Sequence, residues 1–309
     1  MLKTRAVILA KIESSSYGTD PTPAAASNSI LCESPELEVV QKFLERKNTR
    51  TYYGNVAGVS IGEAVKIKFT TELKGSGTAG AAPEIDPLLR ACNYTKTNTP
   101  GTKDDYDPNS NQSTGESITI YFYQHDIVHK ISGCRGTFTV ELNAGEYGKI
   151  NWEFTGIYTA AADGTIPAIT VNATVPPRFL SASFAIDAYA AIIEKLKLDA
   201  GNEIGRRPSA NAVTGILEYF VKERKITCEI DPEVVALATK SFWGLWAANT
   251  LVAFTATVGS AAGNRCVITA PKVQIADVKY GERESLLTNA LKLHFTPNTG
   301  NDEIKFSFT

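Results

Sequence analysis

Residues 133–156 read GCRGTFTVELNAGEYGKINWEFTG. Phe138, Val140 and Leu142 alternate with Thr137, Thr139 and Glu141, and beyond NAGEYG the chain resumes with Ile150, Trp152 and Phe154 against Asn151 and Glu153. Successive side chains on a strand point to opposite faces, so a period of two marks a strand covered on one side and open on the other. Two such runs around a Gly-containing turn form a β-hairpin.

The same period extends outward. Val65, Ile67 and Phe69 alternate with Lys66 and Lys68, and Ile118, Ile120 and Phe122 alternate with Thr119, Tyr121 and Tyr123. In the second half, Ala182, Phe184 and Ile186 read as a strand, and Leu291, Leu293 and Phe295 alternate with Lys292 and His294. Helix signals are few. EIDPLLRACNY (84–94) and EIDPEVVALATKSFWGLWAAN (229–249) each place Pro after Asp, which predicts helices capped by Asp86 and Asp231 with Pro87 and Pro232 at the first helical position.

The order strand, Ile-Asp-Pro helix, strand, strand, turn, strand therefore occurs twice, and fixed-order recurrence predicts a duplicated unit. The reading is mainly β: two β domains of sandwich or barrel type, each with one α-helix packed outside the sheet. The first spans 1–160, a linker 161–178 and the second 179–309; in the linker Pro167, Pro176 and Pro177 interrupt the pattern. Residues 95–117, TKTNTPGTKDDYDPNSNQSTGES, lack an apolar period and read as a long solvated loop.

Composition excludes several function classes. Of 309 residues, 43% are hydrophobic and 21% charged, the mark of a chain that buries a core. Lys and Arg total 31 against 33 Asp and Glu, so no basic field holds a polyanion. The longest apolar run near the N-terminus is five residues, 6–10, too short for a signal or membrane segment. The sequons at Asn93, Asn111 and Asn172 then read as chance matches. Cys32, Cys92, Cys134, Cys228 and Cys266 are scattered and odd in number, which argues against disulfides and zinc and for small buried side chains.

Motifs with chemical potential read as structural. Gly75, Gly77 and Gly80 spell GxGxxG, but the second strand with its ribose-binding acid is replaced by the polar stretch, so a strand-to-helix loop is the reading. His125 and His129 share a strand face with Tyr123 while Asp126 takes the other, leaving no complete metal set. Lys103-Asp104-Asp105-Tyr106-Asp107 lacks the calcium-loop register and reads as a solvated charge cluster. No GxSxG, HExxH or P-loop occurs, so no catalytic residue, cofactor site or metal site is assigned, and the chain reads as a non-enzyme. Trp152, Trp243 and Trp246 fall in apolar patterns and read as buried, unlike the exposed aromatics of a carbohydrate-binding or adhesion module. Two basic segments remain, Phe43 to Asn55 with Arg46, Lys47, Arg50, Tyr52 and Tyr53, and Asn202 to Ser209 with Arg206 and Arg207; Arg and Tyr suit protein contact.

ELKGSGTAGAAPEIDPLLRAC (72–92) and GCRGTFTVELNAGEYGKINWEFTG (133–156) resemble segments of tail tube proteins of long-tailed phages, and residues 258–295 are similar to the end of a tube domain. The resemblance implies a structural virion protein, assembled in the host cytoplasm, that closes with copies of itself into stacked rings. It implies a hollow conduit for DNA ejection, with tape measure, terminator and distal tail proteins as further partners and no membrane. Tube rings hold six domains, so two domains per chain imply a trimeric ring with pseudo-sixfold symmetry. The segments with Arg46, Lys47, Arg50, Tyr52, Tyr53, Arg206 and Arg207 then take the place of ring-to-ring loops. Glu141 and Glu153 take that of an acidic lumen lining which DNA passes without specific binding. A neck or terminator ring is the alternative within the same class.

Overall fold

A computed structural model describes residues 4–309 apart from 15, 41, 62–63 and 181–182. The hairpin at its centre pairs Ile127–Asn143 with Lys149–Asp163, setting Phe138 opposite Trp152 and Val140 opposite Ile150. The apolar members of each pair face inward: Phe138 and Trp152 are buried with ring centroids 5.0 Å apart. Burying indole leaves its N–H in need of an acceptor, and Thr71 Oγ1 supplies one at 2.8 Å.

Strands add on both sides of this hairpin, all antiparallel. Across the first half the spatial order is Ala6–Ile12, Ile118–Gln124, Ile127–Asn143, Lys149–Asp163, Ala64–Glu72, Glu33–Val39. Across the second half it is Ala185–Ile186, Leu251–Val258, Cys266–Arg283, Leu286–Thr296, Thr227–Ile230, Lys195–Asp199. Numbered by chain position within each half, both orders are first, fourth, fifth, sixth, third, second. In both halves a short helix lies between the third and fourth strands, and a two-stranded hairpin between the second and third.

Two seams join the halves. Residues 139–143 pair with Lys195–Asp199, aligning Val140 with Leu198 and Leu142 with Leu196, all buried. The C-terminal strand Lys305–Phe308 pairs with Cys266–Arg283 on one side and with Lys103–Pro108 on the other. Lys103–Pro108 in turn forms a hairpin with Tyr94–Thr99. The solvated loop expected at 95–117 is therefore corrected: its first part is sheet. Its inward residues are Asp104 and Tyr106, both 0% exposed, so no apolar alternation announced it. Asp105 is buried too, held by Lys103 at 2.6 Å and by the Ser307 hydroxyl at 2.6 Å, which replaces the solvated-cluster reading of this stretch.

Helix Asp86–Ala91 forms where expected, with one difference: Asp86 is its first residue and makes no side-chain cap. Its carboxylate accepts instead from the Tyr106 hydroxyl at 2.7 Å. The second helix forms inside the expected stretch but with its start and cap corrected: it lies at Phe242–Ala247, with Ser241 accepting from Gly244 N–H. Asp231 spends its carboxylate on the backbone N–H groups of Glu194 and Lys195, both 3.0 Å away, so the oxygen that would cap a helix holds the inter-half strand. Trp152 is buried as expected, Trp243 partly so, and Trp246 is 43% exposed. Of the strand read at Ala182 to Ile186, Ala185–Ile186 pairs with Leu251–Val258, and Ala182 lies outside the described residues.

All five cysteines are free, four of them buried. Burial pushes the Cys266 thiol up to about 12, and burial followed by the nearby Glu84 carboxylate does the same for Cys32. Since the thiolate is the reactive form, the folded protein at pH 8 should resist alkylation at every cysteine and react fully in denaturant, as thiol titration by mass would record. The aromatic seam sets the stability scale. Phe306, buried against Tyr94 and Phe138 with centroids 5.8 Å from each, joins both halves, so F306A should cost about 3–5 kcal/mol in urea unfolding.

Candidate assembly surfaces

The apolar face of the sheet turns toward the helices and the Lys103–Pro108 layer, which leaves a polar face on the other side. Glu153 stands there between Lys66 at 2.6 Å and Lys68 at 3.7 Å, and Lys68 also lies 3.7 Å from Glu38. Glu141 pairs across the seam with Lys197 at 2.9 Å, and hydrogen bonding to Glu141 holds the Lys197 ammonium above its ordinary pKa. Further along, Glu229 aligns with Lys292 and Asp277 pairs with Lys279 at 2.5 Å. Acids and lysines thus stand in cross-strand pairs on this face, Glu36 beside Lys68 among them.

The two basic segments lie on hairpins at equivalent places in the strand order. The first, Lys42–Leu44 with Val59–Ile61, holds Arg46, Lys47, Tyr52 and Tyr53 on an exposed loop, with the Arg50 guanidinium 5.3 Å from the Tyr52 ring centroid. Phe43, Leu44, Tyr52, Tyr53 and Val59 all face solvent. The second pairs Asn202–Pro208 with Ile216–Arg224. Arg206 and Arg207 are strand residues there, aligned with Tyr219 and Glu218, and the exposed turn is 209–215 with Val213 at its tip.

This second hairpin is anchored to the first half. Ile216 and Tyr219 are buried in a cluster with Ala64, Ile157 and Ile204. The Tyr17 hydroxyl accepts from Tyr219 N–H at 2.7 Å and donates to Gly133 O at 2.7 Å. Gly133, in a bulge at φ +61, allows this approach: a Cβ there would lie 2.5 Å from the Tyr17 ring. At the hairpin base, Asn202 Nδ2 donates to Cys92 O at 2.8 Å and Gly136 O at 3.0 Å, and Arg224 pairs with Glu303.

The motifs set aside in the sequence have structural places. Gly75 N–H donates to Asn264 Oδ1 and Gly77 N–H to Gly263 O, both at 2.9 Å, so the GxGxxG loop packs on the turn before Cys266–Arg283. A Cβ on Gly75 would lie 2.1 Å from Gly263 O, so close backbone approach accounts for that glycine. His125 occupies a turn at φ +55 beside Asp126, 2.9 Å away, while His129 Nδ1 lies 3.1 Å from the Tyr158 hydroxyl and His294 is exposed. Among the described residues no cluster of three or more His, Cys, Asp or Glu side chains could hold a metal, and no helix is long and apolar enough to cross a membrane.

The described chain is a mainly antiparallel β protein with a polar sheet face, open strand margins and exposed apolar side chains on its hairpins, surfaces of the kind that assembly covers. The profile of one family, described as phage tail tube protein, matches residues 3–308. The chain belongs to the phage tail tube family, and is thereby a structural component of the virion tail that assembles with copies of itself. No curated protein matches it.

Sequence missed two parts of this surface: the anchoring of the second hairpin and the strap formed by Lys305–Phe308. Tyr17, Tyr219 and Gly133 meet only in three dimensions, and their spacing carries no local period. The energetic contrast is testable by urea unfolding. E153Q, on a half-exposed pair, should shift stability by less than about 1 kcal/mol. N202A, which takes a buried donor from two backbone carbonyls, should cost about 1–3 kcal/mol.

Proposed function

We propose that three chains close head to tail into one ring, each contributing two equivalent β units, and that rings stack into the hollow tail tube. The observation that carries this is the shared strand order of the two halves together with the 139–143 to Lys195–Asp199 pairing between them. A heterologous contact repeated by rotation closes a ring when the angle permits, and an internal joint of that kind provides the template. With two units per chain, three chains give a pseudo-sixfold ring.

The polar face then lines the lumen, with Glu141 and Glu153 among the lining residues. Its lysine and glutamate pairs present neither a strong attraction nor a strong barrier to phosphates, which suits passage of DNA without binding. The work is geometric, and no step needs a catalytic residue. The turns at 45–58, with Arg46, Lys47, Arg50, Tyr52 and Tyr53, and at 209–215, beyond Arg206 and Arg207, reach the next ring. Exposed Tyr53 and Val213 at these tips favour that reading, since apolar tips gain by being covered. Tape measure, terminator and distal tail proteins would be its further partners.

Negative-stain images of the purified chain should show rings or hollow rods, with a native ring mass of three chains at 33.3 kDa each. Rings of six full chains, or monomers at every concentration, would overturn the proposal. Shortening 45–58 to a tight turn should leave folded rings that do not stack; rods of normal length from that variant would reassign the segment.

A further inference from the structure

The proposed ring leaves open which margins meet and what stops the halves from joining in the wrong order. Resting on that reading, we infer that the open side of Cys266–Arg283 beyond Gln274 receives Glu33–Val39 of a second copy, and that reversed charge at this joint enforces alternation of the halves.

The internal seam shows what each margin lacks. Ile127–Asn143 has the Ile118–Gln124 strand beside its first part and Lys195–Asp199 beside its last residues, with Lys149–Asp163 along the opposite side. Cys266–Arg283 is its positional equivalent. Leu251–Val258 pairs with it as far as Gln274, Leu286–Thr296 runs along the opposite side, and beyond Gln274 the first side has no paired strand among the described residues. Lys195–Asp199 is in turn the equivalent of Glu33–Val39, which pairs with Ala64–Glu72 and has no second neighbour among the described residues.

Burial follows this difference. Leu196 and Leu198, between two strands, are 1% and 0% exposed, whereas Val39 on the equivalent strand is 64% exposed. Beside the open margin, Tyr280 is 61% exposed against Trp243, with Trp246 next to it. An edge with unpaired backbone groups and uncovered apolar side chains is completed by strand addition.

Charge then distinguishes the two joints. At the internal seam the incoming strand is basic, with Lys195 and Lys197 beside Asp199, and the receiving strand presents Glu141. At the outer joint the signs are exchanged. Glu33–Val39 presents Glu36 and Glu38 on the polar face, aligned with Lys68 and Lys66. The receiving margin presents Lys279, with Asp277 beside it and exposed Lys292 on the adjacent strand. Arg283 at the far end is already held by Asp231, Glu233 and Glu194. Joining first half to first half would set Glu36 and Glu38 against Glu141, and joining second to second would set Lys195 and Lys197 against Lys279. Like charges across a strand pair are unfavourable, so only alternating halves fit both joints.

The test uses the full chain, with ring yield read by negative stain and native mass across a concentration series. E36K/E38K and K279E should each raise the concentration needed for rings at least about tenfold, an effect that weakens in high salt, while the triple variant E36K/E38K/K279E recovers rings. Recovery in the triple variant also shows that the reversed strands fold. Charge-reversed variants that form rings at the parent concentration, or a triple variant that stays defective, would overturn the charge rule while leaving the ring intact. A parent chain that forms no rings would instead overturn the tube reading itself.

Discussion

Unpaired backbone groups at sheet margins are the constraint on which this architecture turns. Each half builds a six-strand antiparallel order whose second strand is thin and polar on one face, and such a margin is stable in water only when it is paired, covered or charged. Within the chain, Lys195–Asp199 resolves it by pairing with residues 139–143, and Leu196 and Leu198 become core as a result. At Glu33–Val39 the same margin is open and carries Glu33, Glu36 and Glu38, which keeps an unassembled chain from pairing indiscriminately.

Joining the halves takes more than that one ladder. Lys305–Phe308 lies between Cys266–Arg283 of its own half and Lys103–Pro108 of the other, so the last strand of the chain closes a layer begun some two hundred positions earlier. Tyr94, Phe138 and Phe306 fill the space beneath. The Asn202–Pro208 hairpin adds a third tie through Tyr17 and Gly133. Strand ladders, an aromatic cluster and a hairpin thus couple the two halves.

The buried charged groups are tied into the fold. Glu13 is buried, yet it accepts from Thr119, Gly133 N–H and Gly18 N–H at 2.7 Å each, and so serves the fold. Arg135, whose guanidinium burial pushes below its ordinary pKa, donates to Gly115 O at 2.8 Å. These groups tie loops to the sheet.

The sequence by itself determined the strands whose two faces differ in polarity. The hairpin around 143–148, the Val65 to Phe69 strand and the Leu291 to Phe295 strand were legible because burial on one side imposes a period of two on the residues themselves. Family membership was legible from the same segments. Tertiary structure decided what depends on distant partners. Lys103–Pro108 became a strand because Phe306 and Ser307 pair with it, Asn98 donates to Asp104 Oδ1 and Lys103 pairs with Asp105. Asp231 became a clamp on Glu194 and Lys195, and the helix moved to Ser241, because a carboxylate satisfies whichever N–H groups the packing brings near. Local periodicity records which face of a strand is covered; only the assembled sheet determines which backbone and which charge lie alongside.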